Sequence, residues 1–538
     1  MSKTYHKAHF FLKNINRSYT GIIMLIVFGL LIYLPPVVTL FSPHKAFSVA
    51  EKRNLADFPD FQIEKIENFL VKIERYYRDQ IAFRQVFISV YHAIKFFIFN
   101  TSPHAATMIG ENGWLFFTSE NSLEDVLGKV HISEKNLNQW QCALESRKSW
   151  LEDQGIRYLL VVAPDKQSIY PEYLPDKIRQ RIAPQKRLDQ LMEYMQVNSD
   201  VPILDLRKPL LDAKQFHQVY YRTDTHWNWQ GGWVAYNQIM AVVRDWFPVV
   251  DALPRSRVLE SPQDYTAGDL NRSISNLLHE SEVALFIPDP CAMITDRPFN
   301  PLSMITICQN APLRVIVFHD SFFCAVTPFL SETFGITINL WKFFPAQSSY
   351  DHQWLKQLIR EYKPDLVIEE RVERFLGATP KLTLEERFDF STNELLRIDS
   401  GTGFTGVLPQ NDLLLAPQPD RLDVHATGGD PRVLLPTFLP ARSPIIMKID
   451  LFCPDDTTLQ VFYLNRTNLT YTEKQSRRHP VKKGENVIYI MIEEPELTGN
   501  LRLDPGDIFG NYVIRSIQIR DMEPCAKRAF RSNTGFKQ

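Results

Sequence analysis

Two short stretches carry the residue types of a serine nucleophile and its base. "YYRTDTHWNWQGG", residues 220–232, holds Asp224 and His226 with a single residue between them. "HDSFF", residues 319–323, sets Ser321 just after the apolar run "LRVIVF". Residues i and i+2 of an extended segment or loop point to one side, so Asp224 can reach one imidazole nitrogen of His226 and fix its tautomer. The other nitrogen is then open to a hydroxyl proton, which is the orienter and base half of a Ser-His-Asp system. Ser321, where a strand turns into a helix, gains backbone N–H groups beside it as a partial oxyanion hole. Each stretch alone has a plainer use: Asp and Ser are common helix N-caps, and a histidine between aromatic residues is ordinary in a core. Two half-signals at separate strand ends of one sheet argue for nucleophilic chemistry.

The elements that must bring them together are legible as an alternation. A helix ending at Gly155 precedes the buried-type strand "RYLLVVAPDK". The strand "VPILDLR" (201–207), a helix from about Trp229 to Trp246, "LRVIVF" (313–318), a helix after Ser321 and "PDLVIEE" (364–370) follow. That order predicts an α/β fold with a parallel sheet flanked by helices, whose site lies at the carboxyl ends of the strands. "GENGWLFF" (110–117) reads as a turn leading into an aromatic strand. After about residue 380 the pattern changes to short alternating runs such as "SPIIMKIDLFC" and "ENVIYIMIE", which predict an antiparallel β-sandwich. A domain boundary is expected between 380 and 400.

At 538 residues and 44% hydrophobic, the chain can bury two cores, and its formal net charge of −2 gives no bulk attraction to nucleic acid. No charged residue occurs from Ser18 to Pro43, and Lys3, Lys7, Lys13 and Arg17 precede that run. Its length suits a membrane-spanning helix, and the positive flank puts the N-terminus in the cytoplasm and the rest of the chain outside. A cleaved signal peptide, with "SVA" at 48–50 as its site, is the competing reading. A buried soluble helix is disfavoured because Pro35-Pro36 would break it. Residues 51–100 carry apolar positions at helical spacing and predict a helical arm. Among the six cysteines, Cys291 with Cys308, or Cys453 with Cys525, could pair in an oxidising compartment. No spacing suggests a metal, and none is expected.

Further blocks fall in a fixed order: "EKRNLADFP", "YYRDQIAFR", "GENGWLFF", "VVAPDKQSIYPEYLP", "RTDTHWNWQGGWVAY", "GDL" at 268–270, "FHDSFF" and "DLVIEERVERFL". In this collinear order the chain resembles the AlgX/AlgJ family of alginate O-acetyltransferases, SGNH-hydrolase-like proteins of the D-x-H-W type, over roughly residues 50–378. The resemblance implies Ser321 as nucleophile, His226 as general base and acid, and Asp224 as its orienter. It implies acetylation of hydroxyls on an exported bacterial polysaccharide. The acetyl donor would come from a membrane-bound O-acyltransferase partner, with no cofactor. Localisation would be a single-pass inner-membrane protein with its catalytic domain in the periplasm. The serine block departs from the family's frequent "GDSF" by carrying His319, which binds substrate or else caps the strand end.

Five residues are expected near substrate on this reading: Arg222, Trp227, His319, Lys166 and Arg371. Each has an alternative. Solvation explains Arg222, core packing explains Trp227 or Trp229, and a strand-end ion-pair network explains Arg371 and Arg374. Loop shaping explains Lys166 with its neighbours Asp165, Ser168, Tyr170 and Tyr173. The expected organisation is a cytoplasmic tail (1–17), a transmembrane signal-anchor (18–42), a helical arm (43–109), an SGNH-like catalytic domain (110–385) and a β-sandwich (386–538) that could hold carbohydrate. The same triad would serve an acetyl esterase with water as acceptor. A glycan-binding scaffold with an idle site is the reading from another class.

Overall fold

The computed structural model describes residues 2–48, 53–59, 66–265, 268–297, 303–341, 352–438 and 444–521. Helix α1 (Ser2–Phe41) contains a stretch, Tyr19–Phe41, long and apolar enough to cross a membrane. The expected break at Pro35-Pro36 does not occur, because both prolines lie inside the helix. The Thr39 hydroxyl donates to the Pro35 carbonyl at 2.6 Å and reinforces the turn that follows. Residues 49 and 50 of "SVA" lie outside the described residues. The arm is helical from Ile66: α2 (Ile66–Gln80) bends at 81–83 into α3 (Arg84–Ala93), which continues as a π turn over Ile94–Ile98, whereas Arg53–Asn54, expected to be helical, pairs as a short strand with Phe47–Ser48.

The alternation predicted next is present as α4 (Glu134–Glu152), β1 (Arg157–Ala163), α5 (Arg187–Asn198), β2 (Ile203–Asp205) and α6 (Trp229–Trp246). It continues through β3 (Met293–Asp296), β4 (Met304–Ile307), β5 (Arg314–His319), β6 (Ile336–Trp341), α7 (His352–Tyr362) and β7 (Leu366–Val372). The sheet runs β2-β1-β7-β5-β6-β4-β3. Its first five strands are parallel, with β1 paired to β2 and β7, and β5 paired to β7 and β6. The last two add antiparallel at the edge. Apolar runs such as Val315–Phe318 and Leu366–Ile368 are fully buried, as a strand covered on both faces requires. The helix expected after Ser321 is a five-residue 3-10 turn, Ser321–Ala325, followed by the short helix Thr327–Ser331. This is the expected α/β fold, a parallel sheet flanked by helices with an antiparallel edge.

Beyond helix α8 (Leu384–Phe390), two antiparallel sheets form the β-sandwich. One is built around Ile445–Cys453 and Gly510–Asp521, the other around Thr457–Asn465 and Leu497–Asp504. Their inner faces share a core that includes Val424, Ile449, Val461, Leu503 and Ile517. Helix α8 packs against α4 on one side and against Ile445–Cys453 and Gly484–Ile492 on the other. Cys291 and Cys308 are joined in a disulfide across the edge pair β3 and β4, as their spacing allowed. The alternative pairing of Cys453 with Cys525 is overturned on one side: Cys453 is a buried free thiol, and Cys525 lies outside the described residues.

The two glycines of "WNWQGG" have a packing cause. A Cβ on Gly231 would stand 2.3 Å from the Val219 carbonyl oxygen, and one on Gly232 would stand 2.6 Å from both Cβ and O of Ala325. The first turn of α6 therefore rests directly on the 3-10 turn that begins with Ser321. Gly232→Ala is expected to force these backbones apart and to destabilise the protein by about 1–3 kcal/mol, the usual cost of overpacking, read as a lower denaturant midpoint.

Candidate active site

The segment 220–227 is a tight hairpin, the loop form of the segment expected from the sequence. An antiparallel bridge pairs Tyr220 with Trp227, and the Tyr221 N–H donates to the His226 carbonyl. The turn folds the Asp224 side chain back over its own backbone, so Oδ1 accepts from the His226 N–H at 3.0 Å and from Nδ1 of the same residue at 2.6 Å. Nε2 then lies 2.6 Å from Ser321 Oγ. With Nδ1–H directed at a carboxylate, Nε2 is the acceptor for the serine proton. Asp224 and Ser321 come from the ends of separate chain segments, yet the three groups form one unbroken line. His226 and Ser321 both keep partial exposure, which leaves the far end of the line open.

Asp224 is held from its other side as well. Oδ2 accepts from the Tyr265 hydroxyl at 2.9 Å and from the Asp269 N–H at 2.8 Å. Burial alone would push its pKa up, but the hydrogen bonds and charge of His226 outweigh this and hold the carboxyl below its usual range. Burial likewise opposes the His226 imidazolium. The hydrogen bond and charge of Asp224, with Asp269 behind it, override burial and raise the histidine above 6.5. Asp224, His226 and Asp269 each offer a ligand atom, all within 4.8 Å of one another, a spacing that a cation could use. The hydrogen bonds already described use those of Asp224 and His226, while Asp269 Oδ1 accepts from the Thr225 and Leu270 N–H groups.

The turn bearing Ser321 is clamped by the residue before it. Asp320 Oδ1 caps the Phe322 N–H at 2.9 Å, and Oδ2 accepts from the Val372 N–H at 3.0 Å at the end of β7. The Asp320 N–H in turn donates to Glu370 at 3.0 Å. The expected group of helix-start donors is thereby reduced, since the Phe322 N–H is committed to Asp320. The Ser321 N–H, beside Oγ at the start of the turn, is a candidate donor to an oxyanion.

Of the five residues expected near substrate, the structure leaves one in a position to meet it. Arg222 keeps a side chain 37% exposed, with Nε 3.8 Å from Glu280. Trp227 is not a sugar platform: it is buried, and its indole N–H donates to the Phe322 carbonyl at 2.7 Å, strapping the hairpin to the nucleophile's turn. Lys166 is also buried, with Nζ donating to the carbonyls of Leu115 at 2.6 Å and Arg222 at 3.2 Å. Burial pulls its pKa down to about 8. His319 is buried between Phe323 and Trp341, with Nδ1 on the Asp320 carbonyl at 2.8 Å, and burial lowers its pKa to about 4. It therefore presents a neutral ring to the core and no group to substrate. Arg371 is fully buried under β7, where its Nε donates to Glu369 at 2.7 Å. Arg147 reaches the other oxygen of that carboxylate at 2.7 Å. Of the flanking positions, Trp229 is half-buried against Phe329, while Tyr170 and Tyr173 stack on Trp114. Ser168 accepts from Lys186, and Asp165 pairs with Arg374.

Residues 107–370 match the family described as the SGNH hydrolase-like domain of the acetyltransferase AlgX. Over this segment, just under half of its length, the chain is similar to the AlgX/AlgJ family. A probable alginate O-acetylase AlgJ of Pseudomonas syringae pv. tomato is 27% identical over 176 residues, which is 33% of this chain and 43% of the relative. Its counterpart in Pseudomonas fluorescens is 25% identical over 235 residues, 43% of this chain and 53% of the relative. The chain thus spans about half the length of the curated relatives it matches. The solved O-acetyltransferase domain of Pseudomonas putida AlgJ is 20% identical, with a TM-score of 0.35, and the comparison covers 52% of this chain and 94% of that one.

Sequence reasoning gave no supporting role to Glu280, Tyr265 or Asp269, and it read Arg374 only as part of a strand-end ion-pair network. Glu280 is buried and accepts from the Arg222 and Thr223 N–H groups at 2.7 and 2.9 Å and from the Thr223 hydroxyl at 2.7 Å. Tyr265 and Asp269 hold Asp224, as described above. Arg374 sits 5.4 Å over the Phe322 ring and pairs with Asp165 and Glu120. The one available signal was "GDL", whose Asp269 lies in a block already singled out.

Two outcomes are expected. A reaction that needs the neutral His226 should lose rate as pH falls through a midpoint above 6.5. Asp224→Asn should move that midpoint down and lower kcat by about 10³–10⁴-fold, seen in pH–rate profiles of both proteins. Arg371→Ala should act on stability, costing about 3–5 kcal/mol in equilibrium unfolding because a buried carboxylate loses a partner.

Proposed function

We propose that this protein transfers acetyl groups onto hydroxyls of an exported polysaccharide through an acyl-Ser321 intermediate. The observation that supports this most is the unbroken Asp224–His226–Ser321 line with its solvent-facing end. In the first half-reaction His226 Nε2 takes the Ser321 proton as Oγ attacks the donor carbonyl. The imidazolium then protonates the departing group. In the second, His226 removes the proton of a sugar hydroxyl, that oxygen attacks the acetyl carbonyl, and Ser321 leaves with the proton. The Ser321 N–H would meet the oxyanion of each tetrahedral intermediate.

A partner of the membrane-bound O-acyltransferase kind would supply the acetyl group, so no cofactor or metal enters either step. The relatives named as probable alginate O-acetylases support a polysaccharide acceptor. Tyr19–Phe41 would anchor the chain in the inner membrane, with the site in the periplasm. Arg222 would contact a hydroxyl or carboxylate of the acceptor.

Incubation with an activated acetyl ester should give an adduct of one acetyl group on the full chain by intact mass, absent in Ser321→Ala. An equal adduct in the variant would refute the serine intermediate. Acetyl recovered as free acetate in the presence of the glycan, with none on the polymer, would make the protein an esterase.

A further inference from the structure

Helix α3 has two faces, and the main domain covers one. His92 Nδ1 lies 2.8 Å from Ser275 Oγ, and four residues on, Phe96 packs with Leu115, Leu270 and Ile274. At helical spacing Val86, Phe87, Val90, Ile94, Phe97 and Ile98 fall on the opposite side. All six are exposed, Phe97 and Ile98 by 65% and 72%. A contiguous apolar stripe of this kind on a helix is a surface with an occupant.

Two observations say what the occupant is. The stripe begins where the apolar helix α1 ends: the Ala82 N–H donates to Thr39 Oγ1 at 2.8 Å, and the Gln80 side chain bonds the backbone of Lys45 at its N–H (3.2 Å) and its carbonyl (2.8 Å). On the other side of the elbow, Lys72, Arg75, Arg78 and Arg84 line an open cleft of about 780 Å³ with residues 54–59 and Asp79, and these four cations outnumber the two acids there, Asp57 and Asp79. An apolar helix face joined to a membrane exit point, with cations at its root, matches acyl chains beside anionic headgroups.

Resting on Tyr19–Phe41 as a membrane anchor, we infer that α3 lies in the lipid surface from which the anchor emerges. Its apolar stripe sits among the acyl chains and the arm's cations sit on lipid phosphates. The His92 and Phe96 face then ties the bilayer surface to residues 270–275, directly after the Asp269 that holds Asp224. The main domain is thus held against the membrane at a fixed orientation.

The test uses the full chain carrying Cys324→Ser, which removes the exposed thiol. Nitroxide labels are placed singly at Leu25→Cys, Val90→Cys and Phe97→Cys, in vesicles of phosphatidylcholine and phosphatidylglycerol. Collision rates are measured with oxygen, which partitions into lipid, and with a water-soluble nickel chelate. At positions 90 and 97 the expected result is a several-fold preference for oxygen, as at position 25. Nickel access at 90 and 97 with oxygen preference at 25 would overturn this inference while leaving the anchor intact. Nickel access at 25 would overturn the anchor and the inference with it. Protection of 90 and 97 from both reagents would assign the stripe to a second copy of the chain and refute a lipid contact.

Discussion

The contact between His226 Nε2 and Ser321 Oγ, 2.6 Å long and spanning 95 residues of sequence, sets the tolerance for the rest of this domain. Neither residue lies inside a strand or a long helix, so each has to be fixed by its neighbours. On the histidine side Glu280 holds the backbone of 222 and 223, Lys166 holds the carbonyl of 222, and Tyr265 with Asp269 holds the Asp224 carboxylate. On the serine side Asp320 joins the end of β5 to the end of β7. Trp227 and Gly232 join the two sides, one by a hydrogen bond and the other by allowing backbone contact.

The fold was legible because its signal is repeated. Four apolar runs, "RYLLVVAPDK", "VPILDLR", "LRVIVF" and "PDLVIEE", specify parallel strands independently of one another, while the fifth parallel strand, β6, was not read from the sequence. Asp224, His226 and Ser321 were legible for another reason: their side-chain chemistry is read at fixed offsets from elements that periodicity already locates. The anchor read over 18–42 already included Pro35 and Pro36, and the helix runs through both.

The expected substrate contacts show where single-sequence reading loses power. Lys166 follows β1 and Arg371 sits near the end of β7, the strand-end positions read from the sequence, while Trp227 lies in the hairpin 220–227. The side chains of Lys166 and Trp227, however, turn inward to carbonyls 51 to 95 residues away, and that of Arg371 turns inward to a buried carboxylate on its own strand. Arg371 needs Glu369 and, through it, Arg147, 222 residues away from that glutamate. Type and position could not tell a charge that faces a ligand from one that neutralises a buried group, because both sit at the sheet's carboxyl edge. Glu280 was invisible for the same reason: its role lies wholly in backbone donors 57 and 58 residues earlier.

The disulfide between Cys291 and Cys308 bears on a different property. Strand β3 is the outermost strand on its side of the sheet, and its residues are exposed. Such an edge offers unpaired backbone groups to any neighbouring chain. The covalent link fastens the edge hairpin to itself, and Glu332 holds the Cys291 and Ala292 N–H groups at 3.0 and 2.8 Å. Peeling of β3 is thereby opposed by a bond that local unfolding cannot break, and the parallel core behind it is shielded from strand-to-strand aggregation between molecules.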